Sequence, residues 1–486
     1  MGVWSLLSEA AILVLILVVI CFLVYCGYIH YIHMKYDHIP GPPRDSFLFG
    51  HAPTFMKQMK NNLVVYDTFL EWVEKYGPVI RLNGLHTAFV LVISPEGVKE
   101  FLMSPKYNKD DFYKHVANMF GASNTGLRSR NTGKLCNVAR KLSLWHKQGR
   151  KGGLMGTFNE KAEDLVNTLG DKADGKCQVG MHDMLSRVTL DVIAKVAFGM
   201  ELNSLHDDQT PFPRAISSVM RGMLETRNPL VKYTPGKQAF IRDVKENIRL
   251  LRKTGQECIE RRMQAIKDGE DIPVDILTQI LKGTELEDGC SMEDLIDNFV
   301  TFFIAGQETT ANQLSFAVME LARNPEILTR VQSEVDEVIG SKIDIDYEDL
   351  GKLKYLSQVL KETLRLYPTA PGTSRVIEEE VIIEGFNSYI MGRMAKFYED
   401  PLVFNPDRFH PDAPKPGYAY FPFSLGPRTC IGQVFAQMEA KVVMAKFLQR
   451  FEFELVEGQS FRILDTGTLR PMDGVICTLR HRREQI

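Results

Sequence analysis

The 486-residue sequence has no CxxC pair, no Asn-X-Ser/Thr acceptor and no marked excess of charge of either sign. Each absence closes off a class of protein. The eight cysteines (Cys21, Cys26, Cys136, Cys177, Cys258, Cys290, Cys430 and Cys477) are scattered, which is neither a disulfide framework nor zinc-ligand spacing. Together with the missing glycosylation acceptor, this favours the cytosolic, reducing side of a membrane. A balance of 58 Lys and Arg against 61 Asp and Glu excludes a general affinity for nucleic acid. Beyond the N-terminal segment there is no linker, repeat or low-complexity block, so a single large fold is expected over residues 44–486.

Charge is also missing from Ala10 to Ile29, an apolar run long enough to span a bilayer. The preceding residues, Met1 to Glu9, contain no Lys or Arg, and no small-residue cleavage site follows. A signal peptide would have both, so residues 1–34 read as a retained single-pass anchor with its flanks. Tyr25, Tyr28 and Tyr31 suit an interfacial belt, and Lys35 lies just beyond. That asymmetry predicts a cytosolic catalytic part. Residues 35–43 end in Ile39-Pro40-Gly41-Pro42-Pro43, which reads as a stiff, extended strap. Short strands are predicted at Val79–Leu82 and Phe89–Ile93, with Gly84 at the turn between them.

Three stretches carry chemistry. In Phe423-Ser424-Leu425-Gly426-Pro427-Arg428-Thr429-Cys430-Ile431-Gly432, Cys430 precedes an apolar-periodic helix predicted from Gly432 to Arg450. Unpaired N–H groups and the helix dipole favour an anion there, so a lowered thiol pKa is expected. Gly426 and Gly432 permit a tight turn and close approach by something flat, and Arg428 can pair with a carboxylate. The second stretch is a helix of about thirty residues, opened by Ser291-Met292-Glu293-Asp294 and closed by Asn324-Pro325. In its middle, Ala305-Gly306-Gln307-Glu308-Thr309-Thr310 is poorly suited to an ordinary core helix. A threonine bonding back to the i−4 carbonyl would distort the helix and open a groove, with the Glu308 acid beside it. The third is Glu362-Thr363-Leu364-Arg365, two opposite charges on one helix face.

In this order the stretches resemble the motifs of the cytochrome P-450 monooxygenase superfamily. The resemblance implies a mainly α fold with small β-sheets (α+β), preceded by one transmembrane helix. It implies haem b (iron protoporphyrin IX) with Cys430 as the axial ligand of the iron and O2 as co-substrate. Electrons would come from NADPH through the diflavin NADPH-cytochrome P-450 reductase. Phe423 maps onto the aromatic beneath the proximal ligand, and Arg428, Arg375 and Trp145 onto haem-propionate contacts. Arg150 lies one place late in the W-x-x-x-R pattern, whose expected arginine position is Gly149. Thr309 and Glu308 map onto the oxygen-side hydroxyl and acid, and Glu362, Arg365 and Arg408 onto a buried ion cluster. Phe302, Ala305, Ala370, Gly372 and Thr373 map onto the substrate cavity.

Further similarity in Asp275–Ile280, Phe299–Gly306, Glu334–Lys342, Phe421–Gly426 and the Tyr36–Pro43 strap points to the sterol side-chain hydroxylases of that superfamily, in the endoplasmic reticulum membrane. One departure stands out. After Gly385 the family has a further turn and strand, whereas here Phe386-Asn387-Ser388-Tyr389 runs straight on into Ile390-Met391-Gly392-Arg393. Oxidation of another lipid, or haem binding without turnover, are the competing readings.

Overall fold

The computed structural model describes residues 2–107, 109, 153–226, 231, 234–273, 275–284, 291–378 and 381–482. Trp145 and Arg150 lie outside these residues. Helix α1 (Gly2–Lys35) opens the chain. Its stretch Leu7–Lys35 is the one helix among the described residues long and apolar enough to cross a membrane. It outruns the predicted run because nothing up to Lys35 breaks a helix. Its C-terminal end is built into the globule, with Ile29 and Ile32 fully buried.

Helices α2 (Ala52–Lys60) and α3 (Val65–Tyr76) precede strands β1 (Val79–Gly84) and β2 (Thr87–Val92). The turn between the strands is Leu85-His86, and Leu85 rather than Gly84 takes the positive φ, at 52°. The anchor docks on this turn: Tyr25 Oη and His86 Nδ1 are 2.9 Å apart, and His33 Nε2 is 2.9 Å from the Leu85 carbonyl. The proline strap is docked too. The Arg81 N–H donates to the Pro40 carbonyl at 2.7 Å. His51 accepts from the Asn83 N–H at Nδ1 (2.9 Å), which leaves Nε2 to donate to the Pro42 carbonyl (3.2 Å).

After α4 (Pro95–Met103), capped by Ser94, come α5 (Leu154–Gly170), β3 (Asp174–Gly180), α6 (Met181–Phe198), α7 (Phe212–Glu225), α8 (Gln238–Lys267) and α9 (Ile276–Thr284). Helix α10 (Met292–Arg323) starts where Ser291-Met292-Glu293-Asp294 predicted, with a capping box. Ser291 Oγ accepts from the Asp294 N–H, and Asp294 Oδ2 accepts from the Ser291 N–H. At 32 residues it is roughly 48 Å long. Its first half packs in one apolar cluster with α6, α7 and α8; its second half packs in another with α5 and the C-terminal elements.

Helices α11 (Pro325–Val338), α12 (Tyr347–Lys352) and α13 (Lys354–Leu366) lead to β4 (Gly372–Glu378), β5 (Val381–Asn387) and α14 (Ser388–Arg393). The larger sheet has the order β1-β2-β5-β4, with β2 and β5 parallel and the other pairs antiparallel. No strand separates β5 from α14. A Cβ on Gly385 would sit 2.4 Å from Leu91 Cα, so the glycine lets β5 lie directly against β2. The sheet thus forms without the turn and strand that the sequence lacks after Gly385. Helix α15 (Gln433–Arg450) and strands β6 (Phe451–Leu455), β7 (Ile463–Asp465), β8 (Leu469–Pro471) and β9 (Ile476–His481) complete the chain.

Candidate active site

The cysteine loop is closed by one backbone hydrogen bond, from the Cys430 N–H to the Phe423 carbonyl at 2.8 Å. Within it Ser424 and Gly426 have φ of 59° and 69°. The two expected glycines do different work. A Cβ on Gly426 would lie 2.2 Å from the Leu102 carbonyl oxygen, so this glycine seats the loop on the end of α4. A Cβ on Gly432 would meet only Cys430 Sγ, at 3.9 Å, and otherwise open space. The backbone N–H groups of Gly432 and Gln433, at the start of α15, point to the sulfur.

The expected depression of the thiol pKa is corrected by this geometry. Burial pushes it up, and the Gly432 and Gln433 N–H groups and the Lys109 charge offset this only in part. A helix start alone does not outweigh desolvation; a coordinated cation would, because a metal-bound thiol is deprotonated outright. Cys430 is nevertheless exposed among the described residues.

Helix α10 carries the same signature. Ala305 is exposed in the middle of a largely buried helix, and Phe302 and Thr309, one turn to either side, are half-buried. This accessible stripe at helical spacing marks one face of α10. Thr309 Oγ1 donates to the Ala305 carbonyl at 2.9 Å, the back-bond expected from sequence. Gly306 has a different reason to be small: its Cβ would lie 2.7 Å from Ile193 on α6. In the strip after α13, Ala370 and Gly372 are exposed between buried Thr369, Pro371 and Ser374, and Thr373 is half-buried. Arg375 is fully buried, with Nη1 donating to Thr373 Oγ1 (3.1 Å) and the Ser374 carbonyl (2.8 Å). Arg428 is half-buried and makes no ion pair among the described residues.

Glu308 turns away from this stripe. It is buried, and its Oε1 accepts from Thr468 Oγ1 (2.9 Å) and Asn312 Nδ2 (3.3 Å). No hydrogen bond links it to Thr309. Asn312, Thr468 and His182 were not foreseen; an amide four residues after the acid was the only local signal.

The ion cluster is assembled. Arg365 Nε and Nη2 donate to Glu362 Oε2 and Oε1, both at 2.7 Å, and both side chains are fully buried. Arg408 Nε lies 3.4 Å from Glu362 Oε1, which also accepts from the Asn405 N–H at 2.8 Å. The remaining Arg365 hydrogens go to the carbonyls of Gly392, Pro401 and Val403. This fastens the end of α13 to α14 and to the loop that leads to the cysteine.

The parts fit a flat, dianionic group with a metal at its centre. An exposed cysteine lies on one element and an accessible helix stripe on another, and the buried Arg375 and half-buried Arg428 supply positive charge. Comparison with known proteins agrees. The family model for cytochrome P-450 matches residues 40–477. Cytochrome P-450 4d2 of Drosophila melanogaster is 28% identical, over 87% of this chain and 92% of its own. Cytochrome P-450 4V2 of Mus musculus is 29% identical, over 92% and 90%. A bifunctional cytochrome P-450/NADPH–P-450 reductase of Aspergillus oryzae is 34% identical, over 61% of this chain and 29% of its own. Proteins of this family use haem and O2, with electrons drawn from NADPH through a reductase.

Proposed function

Because the chain belongs to the cytochrome P-450 monooxygenase family, we propose that it is a membrane-anchored monooxygenase acting on an unactivated C–H bond of a sterol. The specific reading is hydroxylation of the cholesterol side chain at the 24-position, by similarity of its motif stretches to cholesterol 24-hydroxylase. The observation that carries the reading is Cys430, exposed and with its sulfur facing two backbone N–H groups at the start of α15.

Cys430 would hold the haem iron, with Arg375, Arg428 and Trp145 on the propionates and Phe423 beneath the sulfur. Bound haem supplies the reductive activation of O2 and the oxidation of the C–H bond. The chain's residues do the rest. Thr309, its hydroxyl turned to the Ala305 carbonyl, offers a polar atom on an otherwise apolar stripe. Glu308, one position earlier on α10 and turned away from the stripe, would resupply that hydroxyl with protons through water, a general-acid contribution of about 10²–10⁴ in rate. Phe302, Ala305 and Ala370 give an apolar lining suited to a sterol and exclude water from the reacting carbon. Helix α1 and its docked C-terminal end hold the domain at the bilayer from which such a substrate comes, with the endoplasmic reticulum membrane and a cytosolic active site as the setting.

The test is a carbon-monoxide difference spectrum of the reduced full-length protein, followed by product analysis with cholesterol, NADPH and reductase. Absorbance near 450 nm and a 24-hydroxylated product are expected. Absorbance near 420 nm alone overturns the thiolate ligand. Turnover of a fatty acid but not of cholesterol overturns the sterol assignment and leaves the oxygenase.

A further inference from the structure

A buried polar chain runs from the acid of α10 to the start of α6. Glu308 Oε1 accepts from Asn312 Nδ2 at 3.3 Å and from Thr468 Oγ1 at 2.9 Å. Asn312 Nδ2 also lies 3.2 Å from Thr468 Oγ1. On its other side, Asn312 Oδ1 is 2.9 Å from His182 Nε2. Asn312 is fully buried, and Glu308 and Thr468 nearly so. Three separate segments supply the four residues: α6, α10 and the residue just before β8.

The orientation of the amide follows from chemistry. An ionised carboxylate only accepts, so Asn312 must turn its NH2 towards Glu308. Its carbonyl oxygen then faces His182, and His182 must donate from Nε2. Conversely, an Nε2–H on His182 forbids the flipped amide, which would set two donors against each other and two acceptors against each other. The charges around His182 come from Arg470 on β8, Glu308 on α10 and its own neighbour Asp183. Both hydrogen bonds to the carboxylate end on Oε1, so that oxygen is fixed. Oε2 has no hydrogen bond among the described residues and is the oxygen on which a proton can be held and released.

We propose that His182 is a positioning residue for Glu308: its Nε2–H anchors the carbonyl of the Asn312 amide that the carboxylate has oriented, so that the amide holds the carboxylate by one oxygen and leaves the other for proton transfer. The proposal rests on the role of Glu308 given above. It assigns the histidine no proton-carrying step, since a side-chain amide is a poor relay.

The test uses the full-length protein in lipid nanodiscs with 15N-labelled histidine. His182 is identified by the signal lost in His182→Gln. In the wild type the imidazole is expected as the Nε2–H tautomer. In Glu308→Gln the amide at 308 can either donate or accept, so Asn312 is free to flip and His182 becomes a tautomer mixture. An unchanged tautomer in Glu308→Gln overturns the coupling. The second arm compares His182→Leu with His182→Gln, which keeps an N–H donor. His182→Leu is expected to divert electrons, with product per NADPH falling about tenfold, short of the ~10²–10⁴ expected for loss of the acid itself. His182→Gln is expected to restore most of it. Equal loss in both variants means that His182 only fills space, and the proposal fails. If the wild type lacks monooxygenase activity altogether, the function assignment fails while the tautomer arm still decides the coupling.

Discussion

Two glutamates, Glu362 and Glu439, are both fully buried in the same helical half of the molecule, and the fold treats them in opposite ways. Glu362 on α13 is met by Arg365, by Arg408 and by the Asn405 N–H. Glu439 on α15 has no hydrogen bond of ordinary geometry at either oxygen among the described residues. Desolvation pushes its carboxyl well above the usual range, with Thr310 the only polar neighbour acting the other way. A buried carboxylate can stay charged only where partners replace its water; elsewhere it keeps its proton. Glu362 is therefore a charged fastener between α13 and the approach to the cysteine loop, and Glu439 is a neutral acid between α15 and α10.

The largest effect is expected from breaking the satisfied side. Arg365→Met leaves Glu362 in the interior with Arg408, at 3.4 Å, as its remaining cation. Urea unfolding should show a loss of about 3–5 kcal/mol. The double variant Glu362→Leu/Arg365→Met should recover part of it, because the penalty lies in the stranded charge rather than in the lost pair. A wild-type midpoint for Arg365→Met would mean that the cluster is not the fastener described. The next effect is on the oxygen side: Thr309→Ala should send electrons to peroxide, measured as peroxide per NADPH, with product falling by about 10²-fold. Unchanged coupling would remove Thr309 from proton delivery.

How much of this the sequence disclosed depends on how local each feature is. The capping box at Ser291, the Thr309 back-bond and the seat of Cys430 before α15 are set within a few residues, and all were readable. The pairing of Glu362 with Arg365 was readable as spacing, but its burial was not, since an exposed pair has the same spacing. The Glu308 network was hidden because His182 and Thr468 lie 130 and 156 positions from Asn312. The lack of a further turn and strand after Gly385 was readable as a departure from the family pattern, but how the sheet forms without them was not: Gly385 lets β5 lie beside β2. Glu439 did leave a signal. It shares a helix face with Phe435, Val442 and Val443, so an acid sits on an apolar stripe.

The smallest effect comes from the unsatisfied side and depends on pH. The unfolded chain gives up the Glu439 proton above about pH 4.3, while the folded protein holds it to a higher pH. Between those limits the unfolded state binds fewer protons, so stability falls as pH rises. Glu439→Gln cannot ionise in either state and removes that slope. At pH 5 the two proteins should unfold at nearly the same urea concentration. Towards pH 8 the variant should become the more stable of the two, the gap widening as pH rises. A gap that is constant with pH would show that Glu439 is ionised in the fold and has a counter-charge. Thr310→Val should deepen the wild-type slope slightly, because the hydroxyl is the one group that favours the charged form, and should leave Glu439→Gln unaffected. The same substitution should not alter the Glu362 side of the molecule, whose charges are met by other residues.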